Sequence, residues 1–486
     1  MERLEKEARI KKITTKKSSH RIIPPANPDT TMNNLKSLAS AAVAAALLCG
    51  GCAWVGGEFR GAPSEMDANI SDGAKGLLTQ AFTFDAADDR LVLADHHLHA
   101  IARGTTTASR SAYLNPELYS VFHPYLWLKT RAFMGASGVD NLDLLEQQYE
   151  KRLLDLLLHF QDVQRRYAPG AVESHFYLYA LDYFHDENGE LSEQYTDLHV
   201  PNDYVVDLSA RLNRDLAAAA TDTRSRARVI AVGSVHPYRR DYMRQLAWLA
   251  ERGVRYIKWL PSSMNIDPEK VSAGYYREMA ERDMVLLTHT GREHALRVKS
   301  EAHQHFSAPE KLRPALDCGV PVVALHSARR GRHPDTGATY FDGLMRLMAL
   351  EEYKETLFSE ISVMLLGGRL SGDSRHFLVR LMEKAEEGGP LHNRVVNGSD
   401  YPVPALTFLN PTEGLAERDM ISKDERRWLD EIFGYNRLLF DFVAKRTLRH
   451  PKTRRRLPEE FFFPLDTKRK VAKASEDCPR AAPDGG

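Results

Sequence analysis

Four short apolar runs in this chain each end in a residue of the kind that binds metals, and that recurrence constrains the fold most. The first is Leu91-Val-Leu-Ala-Asp95-His96-His97-Leu98-His99. Side chains at i and i+2 of an extended chain share a face, so His97 and His99 can converge just past the strand end. By the same period His96 points away and reads as structural. Val285-Leu-Leu-Thr288 leads into His289, Val322-Val-Ala-Leu325 into His326, and Arg394-Val-Val-Asn-Gly398-Ser399 into Asp400. Runs this short and this rich in β-branched residues favour strands over helices. Alone, each tip has a bland reading: a core histidine satisfied by hydrogen bonds, or a turn aspartate before Pro402. Four in order, at carboxyl ends of strands separated by helical segments, is how a (β/α)8 barrel builds a site.

The remaining strands lie between these tips. His175-Phe-Tyr-Leu-Tyr-Ala180, Arg228-Val-Ile-Ala-Val-Gly233, Arg255-Tyr-Ile-Lys258-Trp-Leu260 and Leu357-Phe-Ser-Glu360-Ile361-Ser362 bring the count to eight. Asp241 ahead of an apolar-periodic stretch that stops at Gly253 reads as a capped helix, and Asp267-Pro268 as the start of the next. The predicted class is α/β, a (β/α)8 TIM barrel over residues 86–450 with a long helical insertion after the first strand, about 100–171. That insertion holds an aromatic stretch, Tyr119 to Leu128, and a helix from Asn141 to Phe160. It reads as a lid that sets specificity or as an oligomer contact, with a homo-oligomer left open.

With Asp95-x-His97-x-His99, the Gly253 to Pro268 segment, Thr288-His289-Thr-Gly291 and Gly398-Ser-Asp400-Tyr-Pro402, the chain resembles the amidohydrolase superfamily. The resemblance is to its branch of TIM-barrel metal-dependent hydrolases and spans roughly Asp95 to Phe440; Ile432 to Phe440 is similar to that family's closing helix. It implies one divalent metal, zinc by preference, bound by His97, His99, His289 and Asp400, with His326 beside it. Imidazoles with one carboxylate suit Zn2+, which lowers the pKa of its water to about 7 and polarises a carbonyl. Asp400 would pass the water's proton to the leaving group, and His326 would stabilise the oxyanion or share in proton transfer. Asp95 is a candidate to orient a ligand histidine.

Lys258 sits in the fourth strand, where binuclear members of the superfamily carry a bridging carboxylated lysine. A buried lysine needs a partner. It could bridge a second metal, hold an anionic substrate group, or pair with a strand carboxylate such as Glu360; one metal is the expectation. After His326, the run Ser327-Ala-Arg329-Arg330-Gly-Arg332 puts cations at the catalytic face, either as a carboxylate anchor or as a solvated loop. Arg292, Glu293 and His294 either line the mouth or open the next helix. The expected activity is hydrolysis of an amide, ester or lactone-type bond of a small substrate, acidic if Lys258, Arg329 and Arg330 anchor it. The alternatives are a non-oxidative decarboxylase on the same site and a non-catalytic envelope binding protein.

The chain has 486 residues, 43% of them hydrophobic, enough for one large barrel core. Its 66 basic and 66 acidic residues give no reason to expect nucleic acid. From Met32, a lysine, an apolar stretch Ser37 to Leu48 and Gly50-Gly51-Cys52 resemble a bacterial lipoprotein signal with Cys52 lipidated. Cys49 departs from that pattern. The reading is a dispensable basic extension at 1–31, a signal at 32–52 and a spacer at 53–85. This tethers the protein by a lipid to an envelope membrane, or leaves it cytoplasmic if the signal is unused. Residues 451–486 form a C-terminal extension expected to be disordered from about 465. Cys49 and Cys52 belong to the signal, Cys318 to the barrel and Cys478 to the tail, so no disulfide is expected.

Overall fold

A computed structural model describes residues 60–85, 90–365, 374–406, 412–475 and 478, with 374–376 as backbone only. The basic extension, the signal with Cys52 and the first part of the spacer lie outside the described residues.

Among the described residues, eight parallel strands form the centre: β1 (Arg90–His99), β2 (Ala171–Tyr179), β3 (Ser225–Val232), β4 (Tyr256–Trp259), β5 (Val285–His289), β6 (Val322–Leu325), β7 (Leu357–Glu360) and β8 (Val395–Val396). Ladders join β1 through β3 and β4 through β8 in sequence order. The two sheets meet at both seams. Gly233 N donates to Tyr256 O (2.9 Å) and Lys258 N to Gly233 O (2.7 Å) between β3 and β4. At the other seam His96 N donates to Asn397 O (2.9 Å), Asp400 N to His97 O (2.8 Å) and His99 N to Tyr401 O (3.0 Å). Strands so apolar belong in a sheet covered on both faces; here helices cover the outer face and the strands' own side chains fill the interior.

Most helices bury one stripe, whereas the last, Arg437–Thr447, is buried along its whole length. Those of nine residues or more among the described residues are α1 (Asp72–Phe82), α2 (Pro124–Ala136), α3 (Leu145–Tyr167), α4 (Asn202–Ala218), α5 (Tyr242–Glu251), α6 (Ala273–Glu281), α7 (Tyr340–Met348), α8 (Ser374–Lys384), α9 (Lys423–Phe433) and α10 (Arg437–Thr447). In α3 the buried residues Leu145, Tyr149, Leu153, Leu156, Phe160 and Val163 recur every three or four positions. Among the described residues no helix is long and apolar enough to cross a membrane.

Asp241 does stand at the N-cap of α5, but its carboxylate pairs with Arg239 and Arg244 rather than with the helix backbone. Asp267-Pro268 opens only a 3-10 turn, Pro268–Lys270, and α6 begins later, capped by Ser272.

Two apolar layers result. One lies between sheet and helices; the other fills the barrel with Ala94, Tyr177, Tyr179, Val232, Tyr256, Val285, Leu287, Val323, Leu325, Phe358, Val396 and Leu465. Leu465 corrects the expectation of disorder from about 465. This apolar residue from a polar tail is fully buried with the barrel interior, and its backbone N–H donates to His96 Nε2 at 3.1 Å. Part of the stretch read as a spacer is likewise packed: α1 is capped by Ser71 and buries Leu77, Leu78 and Phe82. An insertion follows the first strand as expected, and it contains α2 and α3.

The cysteine reading is corrected as well. Cys318 and Cys478 form a disulfide across a sequence separation of 160 residues. Spacing alone could not show it, because the tail first has to cross the barrel and lie against the Cys318–Gly319 turn, where Ser475 N donates to Cys318 O at 3.2 Å. Such a link typically stabilises by about 2–4 kcal/mol. The double variant Cys318→Ser/Cys478→Ser is therefore expected to denature at lower urea than the parent. An equal midpoint, with the bridge seen in the parent by non-reducing peptide mapping, would contradict this.

Candidate metal centre

A β-bulge in β1 builds the centre. Asp95 pairs with Phe176 and Leu98 with Leu178, so β1 carries one more residue than β2 between these pairs. The strand period breaks there, and both neighbouring histidines turn into the interior. His96 stacks on Tyr177 with ring centroids 4.5 Å apart, while His97 lies 4.7 Å from Tyr179. Both histidines are fully buried. His96 is structural, as expected, though it does not point away: its Nδ1 donates to Asn397 O (3.0 Å), and burial pushes its pKa down to about 3.

Past the bulge, His97 Nε2 lies 3.1 Å from His99 Nε2 and 3.1 Å from Asp400 Oδ1. His99 Nε2 lies 3.0 Å from the same oxygen. Three lone-pair atoms about 3 Å apart suit a common ion, since bonds of about 2.1 Å at near-tetrahedral angles separate neighbours by little more. His97 also turns Nδ1 toward Glu360 Oε2 at 3.5 Å, a carboxylate behind the imidazole without a hydrogen bond to it. Burial, then Lys258 and the other histidines, hold His97 well below its ordinary pKa, so it is a neutral lone-pair donor.

His289 closes β5 beside this group. Its Nδ1 faces Glu293 Oε2 at 3.3 Å, leaving Nε2 buried without a hydrogen-bond partner. Burial lowers its pKa, opposed by Glu293. His326 has its ring centroid 4.6 Å from that of His289 and 5.0 Å from that of His97. It begins a left-handed turn: His326, Ser327 and Ala328 have φ of 61, 52 and 49°. Three such residues in a row persist only where their surroundings over-determine them. Here His326 N donates to Glu360 Oε2 (3.0 Å), Ser327 Oγ to Glu360 O (2.8 Å) and Ala328 N to Thr290 Oγ1 (3.0 Å). Asp400, with φ 64°, is pinned by its own N–H on His97 O.

Thus His97, His99 and Asp400 come together, and His289 and His326 sit next to them. A second possible grouping, His97 with His326 and Glu360, shares His97 with the first. Its Glu360 Oε2 already accepts His326 N and the Ser362 hydroxyl (2.7 Å), which favours the first.

Lys258 is fully buried, its ammonium 5.1 Å from the centre of the Tyr179 ring with no hydrogen-bond partner. It makes no hydrogen bond to Glu360. Burial pushes its pKa down to about 8, against the pull of Asp400, Glu360 and Glu293. Arg329 donates to Val363 O, whereas Arg330 is exposed and pairs with no carboxylate among the described residues. Asp95 does not orient an imidazole. It accepts His97 N (3.1 Å) and Ser399 N (2.7 Å), clasping β1 to the chain after β8.

Sequence reasoning missed the roles of Glu360 and Ser362. Ser362 Oγ lies 2.6 Å from His326 Nδ1, so one hydroxyl links the histidine to the carboxylate. The signal was present as two polar residues in an apolar run at the seventh strand's end. Glu293, read as lining the mouth or opening a helix, instead backs His289.

No family description and no curated protein matches this sequence. Among solved structures, one from Pseudomonas putida, provisionally described as a 2-pyrone-4,6-dicarboxylic acid hydrolase, is 16% identical. It covers 72% of this chain and 98% of that one with a TM-score of 0.35. A second, from Acinetobacter baumannii with citric acid bound and a similar provisional description, is 11% identical; it covers 71% and 99% with a TM-score of 0.36. Neither value bears on activity, which rests on the side chains.

Gly398 is the tightest point of the centre. A Cβ there would lie 2.1 Å from Glu360 Oε1 and 2.8 Å from His97 Cβ. Gly398→Ala is expected to destabilise the fold by about 1–3 kcal/mol and to weaken metal retention together. Equilibrium unfolding and metal analysis of the same sample check it; unchanged values in both would contradict this packing.

Proposed function

We propose that this chain is a metal-dependent hydrolase of the amidohydrolase type, cleaving an amide, ester or lactone-type bond of a small acidic substrate. The observation that carries the reading is the convergence of His97 Nε2, His99 Nε2 and Asp400 Oδ1 at 3.0–3.1 Å, at the carboxyl ends of barrel strands. His97, His99 and Asp400 would hold a divalent ion, with His289 Nε2 as a fourth donor; two or three imidazoles with a carboxylate suit zinc. Bound there, such an ion polarises a carbonyl and makes water a better nucleophile.

The protein's own groups supply the rest. Asp400 takes a proton from the attacking water and returns it to the leaving group. The Ser362 hydroxyl donates to Glu360, so His326 Nδ1 is the donor in the His326–Ser362 contact. That leaves His326 Nε2 as an acceptor, able to share in the proton transfer. Lys258, a cation without a hydrogen-bond partner in the barrel interior, would face an anionic substrate group, and Arg330 at the rim would draw it in. The Cys318–Cys478 disulfide supports residence in an oxidising compartment, consistent with a lipid-anchored envelope protein tethered through Cys52.

Screening lactones and carboxylate-bearing esters for turnover is the direct test. With the first substrate found, Asp400→Asn is expected to lower kcat by about a hundredfold to ten-thousandfold without lowering the thermal midpoint. Unchanged kcat would remove Asp400 from proton transfer. Arg330→Met is expected to raise KM roughly tenfold for an acidic substrate and leave kcat within about twofold, since a single charge-assisted contact is worth about 1.5–3 kcal/mol at most. An equal rise for the neutral analogue would deny Arg330 its role as a carboxylate anchor.

A further inference from the structure

Seven large apolar residues are exposed among the described residues, and three of them fall within five positions. Val121 is 71% exposed, Phe122 89% and Tyr125 55%, with exposed His123 and Pro124 between them. They form the tip that leads into α2. Scattered exposed apolar residues need no explanation, but a contiguous tip with a nearly bare phenylalanine does. Isolated on a solvated loop, it has no packing reason to be apolar.

The tip stands at the catalytic end of the barrel. Behind it, Lys129 Nζ of α2 donates to His294 O in the loop after β5 (3.1 Å), and Tyr401, next to Asp400, donates from its hydroxyl to Ala136 O at the far end of α2 (3.4 Å). The chemistry of α2 is also one-sided. Pro124–Ala136 contains Lys129 and Arg131 and no acidic residue, with Tyr125 and Trp127 in its first turn. Aromatic residues with bases and no acids are the composition of an element that rests in the headgroup region of an anionic bilayer.

Area distinguishes the occupants. The three side chains expose on the order of 400 Å2, taking about 150–250 Å2 for a whole aromatic side chain. A stable protein interface takes about 800 Å2 from each partner, so the tip falls short of what a second copy needs. Shallow insertion needs no more than a few apolar side chains. The apolar stretch Ser37 to Leu48 followed by Cys52 supplies, from a separate part of the chain, a reason for a bilayer to be within reach.

We infer that the Val121–Tyr125 tip seats in an anionic lipid surface, turning the mouth of the barrel toward the membrane. Phe122 and Val121 enter the headgroup–acyl boundary, and the net positive charge of α2 lies behind them. The inference does not depend on the reaction the site catalyses.

The test uses the full chain carrying Cys52→Ser, which removes lipidation but keeps the N-terminal apolar stretch, with and without Val121→Ser/Phe122→Ser. Vesicles of phosphatidylcholine, with and without an equal part of phosphatidylglycerol, report partitioning. Brominated acyl chains report local depth through Trp127 emission, taken as the difference from a Trp127→Phe chain. The expected result is Trp127 quenching on anionic vesicles that falls at least fivefold in the double variant, with partitioning at least tenfold weaker. Equal Trp127 quenching in the two chains would overturn the inference. So would a parent that sediments as a dimer without vesicles and a double variant that sediments as a monomer, because the occupant would then be a second copy.

Discussion

Everything at the His97 end of the barrel depends on one extra residue in β1. An unbroken strand would send His96 and His97 to opposite faces, and only one could enter the barrel. With the bulge between Asp95 and Leu98, His96 turns down to meet Leu465 and Tyr177 while His97 turns in beside Glu360 and Asp400. The floor of the barrel and the candidate metal centre are thereby fixed by adjacent residues. Asp95, just before the bulge, ties the same point to Ser399 across the seam. The seam that closes the barrel and the seam that positions Asp400 are the same set of hydrogen bonds.

Around that seam the fold buries more ionisable groups than a merely structural barrel interior requires. Burial pushes Glu360 up to about 7 and Lys258 down to about 8. Beneath them Lys445 donates to Gly398 O and to Asp441, both at 2.6 Å, and burial raises Asp441 to about 7. Desolvating so many charges is costly unless each is paired. Nitrogens of His97 and His289, Glu360 Oε1 and Lys258 Nζ nevertheless remain without hydrogen-bond partners. Unpartnered groups clustered at strand ends mark a candidate functional site. The neutral, buried imidazoles and the shared Asp400 oxygen fit a divalent ion.

The parts of this arrangement that lie on a strand's own period were legible in the sequence. His97, His99, His289, His326 and Asp400 each follow a short β-branched run, and the barrel follows from their order. What the period cannot show is its own interruption: His96-His97 reads identically with or without a bulge. Glu360 and Ser362 were hidden because a polar residue near a strand end has several equivalent uses, and only the neighbouring left-handed turn decides between them. Leu465 and the Cys318–Cys478 bridge depend on where the tail crosses the barrel, a long-range fact with no local pattern. In α1 the pattern was present, with Ala74, Leu77, Leu78 and Ala81 on one stripe, but so short a helix so close to a polar segment reads as linker.

The proposed site stands or falls on His97, His99 and Asp400 sharing one metal ion. Elemental analysis of the full chain purified after expression with supplied zinc, beside His97→Ala, tests it most directly. About one zinc per chain is expected in the parent and none in the variant at equal folding. No metal in a folded parent would contradict it. Two ions per chain would also contradict the mononuclear centre and make Lys258 a carboxylated bridge.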